Sequence, residues 1–487
     1  MIFVSLFFKC FKIETDMNIK IVKKHTEGAP LAVIVPKNAT AKSLADYPFT
    51  ADERTYVTKK LKIDSKTLDL SVLDCKKYVV VSDSEKPEKL RNAANSVCTK
   101  LAAAKKEEIT VFCEDKKNAL NFLEGLLLSA YKFDKYKTEK PSTINAINLW
   151  VKGLKQSDIT PLRNLCDSVC EARNWVNEPI MVLNADAFAT ILQKEAVELG
   201  IDVKVLKQKQ IESLKMGGLL GVNRGSVDEA RFITMEWKPK NAVNKKPIAL
   251  VGKGIMYDTG GLNIKTSDYM YDMKSDMAGA ATMAATLFAV AKNQLPVHVV
   301  VLIPATDNRP CGNAYANGDI LRMYDGTMVE VVNTDAEGRL ILADAIAYAN
   351  RFKPQVIVDA ATLTGAAERA IGKYGIVAMH QDAAETMEQI KRAGDEVYER
   401  IAEFPFWDEY GELIKSDVAD IKNSGAGPHA GMITAGKFVA HFAKAPFVHL
   451  DIAGVAFADK SYGIYGKGAT GFGVRLLYRW LEGVAKK

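Results

Sequence analysis

Two stretches of this chain concentrate charged side chains in a spacing that could do chemistry. The run VGKGIMYDTGGLNIK carries Lys253, Asp258 and Lys265, and MKSDMAGAA follows it with Asp276. Further along, NTDAEGRL carries Asp335, Glu337 and Arg339. Hard divalent cations take several oxygen ligands, some of them shared when two ions sit together. Asp258, Asp276, Asp335 and Glu337 are the residues that would supply those oxygens. In extended or turning backbone Asp335 and Glu337 point the same way, and like charges so placed repel unless a cation lies between them. Histidine, the usual zinc ligand, is absent from both stretches, so a zinc site here would be rich in carboxylate. Gly260, Gly261 and Gly338 let backbone approach a ligand closely. Taken singly, each carboxylate also reads as a helix cap or a surface charge, since Asp and Glu are common at such positions.

Other motifs do not compete. Gly252-x-Gly254 after an apolar run matches the start of a dinucleotide fingerprint, but the third glycine is missing and Tyr257 stands in its place. There is no G-x-S-x-G, H-E-x-x-H or Walker loop. His429 lies in the Gly/Pro-rich SGAGPHAGM and His449 in a strand pattern, and neither is expected to bind metal. On the residues alone, a metal-dependent phosphoesterase using the same carboxylates stays open. A nucleic-acid-binding module is not expected, for want of a concentrated basic stripe.

The elements that must position these residues alternate between strand and helix. Strand patterns cover 247–254, 297–304, 327–332, 355–361 and 447–454, and helical ones 278–292, 339–351 and 473–483. The reactive residues fall where strands end or helices begin, the usual place for function in α/β folds. An earlier α/β region shows strands at 31–36, 77–83 and 107–113, with a helix around 118–131. These patterns predict an N-terminal α/β domain over 17–157. A linker helix and junction follow over 158–178, closing on the turn signal Asn177-Glu178-Pro179, and a larger α/β catalytic domain runs over 179–487.

Composition agrees with a large globular chain: 487 residues, 48% hydrophobic and 25% charged. The 65 basic and 59 acidic residues leave a formal charge of +6, which reads as a lysine-rich solvated surface. Seven cysteines, with no C-x-x-C pair, indicate reduced thiols and a cytoplasmic location. The opening MIFVSLFFKCFK is short, interrupted by Lys9 and followed by no cleavage signal, so a signal peptide is not expected. No stretch reaches membrane-spanning length. Met17, followed by the strand-like NIKIV, is the expected native start, with residues 1–16 disordered or an upstream-start artefact.

NTDAEGRL resembles the signature of the leucyl aminopeptidase family of cytosolic metalloexopeptidases. The resemblance extends to VGKGIMYDTGGLNIK, MKSDMAGAA, DAATLTGA (359–366), HLDIAG (449–454) and the NEP junction, in the family's order. It implies a mixed central sheet flanked by helices in the C-terminal domain, and a homohexamer acting on peptides. It implies two divalent ions per chain, Mn²⁺ or Zn²⁺, held by Lys253, Asp258, Asp276, Asp335 and Glu337. Asp258 and Glu337 would bridge the ions, and Lys253 would be an amine ligand. Lys265 and Arg339 would be catalytic, with a bicarbonate ion at Arg339. Met273, Thr362, Gly365, Ala453 and Ala456 would receive the first side chain, and Asn333 and Leu363 would hold the peptide backbone. The implied reaction is removal of an apolar first residue, such as Leu or Met, by a two-metal activated water.

Overall fold

The computed structural model describes residues 17–486 except 26–27, 64–70, 74–76, 84–85, 426 and 428. The expectations for residues 1–16 lie outside the described residues. The chain forms two compact units, one reaching Cys170 and including Lys460–Lys467, the other comprising Glu171–Asp459 and Gly468–Lys487. The chain passes from one to the other within the helix Gln156–Asn177.

In the N-terminal unit the described residues form a six-stranded sheet. Its order is Asn18–Ile21, Ala146–Val151, Glu108–Cys113, Leu31–Pro36, Lys77–Ser82 and Ser71–Leu73. All neighbours are parallel except the last pair. LAVIVP is buried at every position but its proline, which is why it reads as a continuous apolar run instead of an alternating one. Helices Pro87–Ala103 and Lys116–Ala130 pack together, joined by a buried Arg91–Glu124 ion pair of 2.6 Å.

The C-terminal unit is built on a nine-stranded mixed sheet, as the α/β expectation requires. Its centre is four parallel strands in the order Phe447–Asp451, Val356–Ala361, Ile248–Gly252 and Val299–Asn308. Arg231–Trp237 and Ile376–Gln381 flank this centre antiparallel, on opposite sides. Gly254–Asp258 leaves Ile248–Gly252 and pairs parallel with the far end of Val299–Asn308. The single strand pattern at 247–254 is therefore two strands, broken at Lys253.

Helices cover both faces. Leu340, Ile341 and Ala345 of the helix Glu337–Ala349 share a buried cluster with Ala249, Val251, Val300, Leu302 and Ile357. Alternation of side chains puts Gly252 on the opposite face. There a Cβ would run into the backbone of Gly279 and Ala280, at the start of the helix Ala278–Lys292. That helix, AGAATMAATLFAVAK, is buried from Ala278 to Ala291, and its small residues allow the close approach. Among the described residues no helix is long and apolar enough to cross a membrane.

Candidate active site

The parallel strands deliver their C-terminal ends to one place. Lys253 follows Ile248–Gly252, and its backbone is locked on both sides. Its N–H donates to the Ala360 carbonyl (3.1 Å), and its own carbonyl accepts from the Ala280 N–H (2.9 Å). Asp258 closes Gly254–Asp258, Thr362 and Leu363 follow Val356–Ala361, and Ala453 follows Phe447–Asp451. Asp276 sits in the 3-10 turn Met273–Met277, and Glu337 opens the helix Glu337–Ala349.

Six of the seven charged residues read from the sequence form two groups of ion pairs, one around each lysine. Lys253 Nζ contacts Asp276 Oδ1 at 2.7 Å and Glu337 Oε1 at 3.0 Å, and donates to the Thr362 carbonyl at 2.8 Å. Lys265 Nζ contacts Asp258 Oδ2 at 2.7 Å and also pairs with Asp335. Ligand oxygens of Asp258, Asp335 and Glu337 lie within 4.8 Å of one another, which joins the two lysine groups. Gly338 is required by this packing, since a Cβ there would overlap Cε and Nζ of Lys253. Gly260, at φ +86°, makes the turn that lets its N–H donate to Asp258 Oδ1 (2.9 Å).

The electrostatics are those of carboxylates crowded out of water. Burial, reinforced by Glu337, raises Asp258; burial likewise raises Asp276 well above the usual carboxylate range, against the pull of Lys253. Burial opposes the charge on Lys253, but Asp276, Glu337 and Asp258 outweigh it and keep the ammonium protonated. Lys265 is held charged by Asp258, Glu337 and Asp335 against the same opposition. Asp276 Oδ2 and Glu337 Oε2 are buried with no hydrogen-bond partner. Buried carboxylate oxygens left so are costly, and a cation among them removes the cost. The residues therefore fit divalent ions. A divalent ion at Lys253 would displace its proton, because an amine binds metal only through a free lone pair.

Arg339 lies outside both ion-pair groups. It is buried, its Nη1 donates to the Asn423 carbonyl at 2.8 Å, and its Nε has no partner. Burial pulls its guanidinium down to about 10, against Glu337 and Asp451, so it stays charged at neutral pH. A buried cation in the first turn of a helix is unfavourable to the helix itself, whose N-terminal end prefers anions. This arrangement suits the binding of a small anion.

The residues expected to hold substrate are placed as follows. Thr362 joins the charged cluster directly, its hydroxyl donating to Asp276 Oδ1 at 2.8 Å. Leu363 and Ala453 are tied together because both backbone N–H groups donate to Asp451 Oδ1 (3.2 Å each). Met273 opens the turn that carries Asp276, and Gly365 opens a helix capped by Thr364. Asn333 Oδ1 accepts from the Asp335 N–H at 2.9 Å. Ala456 is buried, with its carbonyl accepting the Thr470 hydroxyl at 3.2 Å. His429 is exposed, and His449 is buried with Nδ1 bonded to both oxygens of Asp359 at 2.9 Å.

Several polar residues that brace the site had not been singled out from the sequence. Asn308 Nδ2 donates to Asp258 Oδ1 (2.8 Å) and to the Thr334 carbonyl (2.9 Å). The Tyr315 hydroxyl donates to that same carbonyl at 2.7 Å, and Thr334 Oγ1 donates to the Gly260 carbonyl at 2.7 Å. Asn423 and Asp451 brace neighbouring loops. Two of them carried a local signal: Thr334 lies inside the NTDAEGRL block and Asp451 inside HLDIAG.

Along most of its length the chain is similar to known proteins. The model of the cytosol aminopeptidase family, catalytic domain, matches residues 170–478, and that of the family's N-terminal domain matches 76–140. A probable cytosol aminopeptidase of Geobacter sulfurreducens is 45% identical over 371 residues, 74% of either chain. One of Chlorobium phaeobacteroides is 37% identical across 93% of this chain and 99% of its own. Among solved structures, the bottromycin maturation enzyme BotP in complex with Mn superposes with a TM-score of 0.81 at 28% identity, covering 93% of this chain and 99% of that one.

Proposed function

The chain belongs to the cytosol aminopeptidase family, and from that premise we propose that it removes apolar first residues, such as Leu or Met, from peptides in a site holding two divalent ions. That it is a metalloaminopeptidase of the leucyl aminopeptidase type follows from the family itself. The observation that carries the two-ion reading is the pair of ion-pair groups Asp276–Lys253–Glu337 and Asp258–Lys265–Asp335, brought together by their carboxylates, with the orphaned oxygens of Asp276 and Glu337. Lys253, Asp258, Asp276, Asp335 and Glu337 would hold the ions, Mn²⁺ or Zn²⁺. When bound, such ions would supply Lewis acidity to the substrate's α-amine, to the scissile carbonyl and to a water.

The remaining work falls to the chain's own side chains. Lys265 points its ammonium at the carbonyl oxygen that gains charge during attack, and a preorganised cation in a partly dry site stabilises that charge strongly. Arg339 would hold a bicarbonate ion, which would supply a proton acceptor, since a buried guanidinium matches the planar geometry of such an anion. Met273, Thr362, Gly365, Ala453 and Ala456 receive the first side chain. Their apolar and small surfaces disfavour Asp or Glu, whose charge would be buried unpaired. Asn333 and Leu363 hold the peptide backbone. We place the catalytic domain at 179–487, joined through 158–178 to the domain at 17–157, and take the working form to be a cytoplasmic homohexamer.

The test is a pair of chromogenic substrates, a leucyl amide and its N-acetylated form, with Mn²⁺ or Zn²⁺ supplied. Cleavage of the first and not the second is expected, because the free amine is the proposed anchor. Equal cleavage of both would mean an endopeptidase or esterase. Turnover of a phosphate ester in place of either amide would favour phosphoesterase chemistry.

A further inference from the structure

The segment Asn333–Arg339 carries four of the proposed functional side chains, yet much of its shape is set by a residue 84 positions or more away in the chain. Asn423 is fully buried, at 0% exposure. Its Oδ1 accepts from the N–H groups of Val332 (2.9 Å) and Asn333 (3.2 Å). Its Nδ2 donates to the carbonyls of Asn333 (2.7 Å) and Ala336 (3.4 Å). Both donors and both lone-pair directions of the amide are thus used on the backbone that flanks Asp335 and Glu337. Its own backbone carbonyl accepts Arg339 Nη1 at 2.8 Å. Asn423 is delivered by a strand pair in which Val329 and Glu330 stand opposite Ile421 and Lys422. Its N–H donates to the Glu330 carbonyl at 2.9 Å.

We propose that Asn423 is a positioning residue for catalysis, fixing the spacing of Asp335, Glu337 and Arg339 through one side chain and one carbonyl. The proposal rests on the reading of that segment as the catalytic machinery. Three features separate it from ordinary core packing. The amide grips both sides of the turn that holds the carboxylates. Its main chain holds the guanidinium, whose Nε is otherwise unpartnered. No shape-matched substitute keeps both functions, because Asp presents an acceptor to two carbonyls where Asn presents donors.

Asn423→Ala and the isosteric Asn423→Asp, each prepared as the metal-loaded full chain, test this. Leucyl-amide kinetics, metal content and Tm are measured for each, alone and combined with Arg339→Ala. The expected result is a kcat lowered on the order of 10²-fold with KM within about threefold, since small misplacements of catalytic groups act on the transition state. Metal content stays at the parent value. The loss is smaller in the Arg339→Ala background than in the parent, because both changes disable the same device. Independent multiplication of the two losses, activity that falls only in step with lost metal, or failure of both variants to fold would overturn the proposal in favour of a purely structural role. A parent chain that does not cleave the leucyl amide would instead sink the aminopeptidase reading itself, and this proposal with it.

Discussion

Lys253 and Lys265 share one group of carboxylates, but their surroundings differ in ways that separate their roles. Lys253 is buried, held by Asp276, Glu337 and the Thr362 carbonyl, with Gly338 leaving room for nothing larger beside it. Lys265 stands on a partly exposed loop between Asp258 and Asp335. Lys253→Ala deletes a proposed ligand, so metal analysis should find one ion lost and activity lost with it. Lys265→Ala deletes the charge proposed to face the reacting oxygen. It should keep both ions while kcat falls by roughly 10²–10³, the usual cost of one oxyanion donor. The reverse pattern in metal content would exchange the two assignments. All seven charged residues were legible in the sequence because they cluster within two local blocks. Their supports were not. Asn308, Tyr315, Asn423 and Asp451 meet the site only through folding, and nothing about an isolated Asn or Tyr in a sequence says which distant carbonyl it will bind.

At the scale of elements, the longest apolar runs were the most legible. The helix read at 278–292 is Ala278–Lys292, and the strand read at 31–36 is Leu31–Pro36. Boundaries moved where a functional residue interrupts regular structure: Lys253 splits one strand pattern in two, and the helix read from 339 begins at Glu337. The flanking strands Arg231–Trp237 and Ile376–Gln381 were not read, because they mix charged or polar residues with apolar ones and carry no motif. The helix Glu337–Ala349 is itself anchored by Asp344. That carboxylate is buried and accepts the N–H groups of Leu219 (2.9 Å) and Tyr324 (2.8 Å), and burial pushes its pKa up to about 7. A carboxyl whose pKa is raised on folding contributes stability that is complete below its unfolded value, about 4, and is lost as pH rises through the folded one. Urea unfolding from pH 5 to 8 should therefore show a component of stability falling across neutrality. Asp344→Asn, which cannot titrate, should remove that component whatever its effect on overall stability. An unchanged pH slope in the variant would show that Asp344 is not its source.

At the scale of the molecule, both units are α/β, and the residues proposed for catalysis all lie within the larger one. The homohexamer proposed here follows from family resemblance, since a single chain displays no symmetry of its own. Light scattering of the active enzyme should report six chains per particle; a fully active monomer would contradict it. The central claim is that two divalent ions, held by carboxylates that otherwise crowd around two lysines, make this chain an aminopeptidase. It is tested most directly by stripping the protein with a chelator and titrating Mn²⁺ or Zn²⁺ back while recording bound metal and leucyl-amide hydrolysis together. The stripped protein should show no activity, and full activity should return only as bound metal reaches two ions per chain. Full activity after exhaustive chelation, or at a saturating content below two ions, would contradict it.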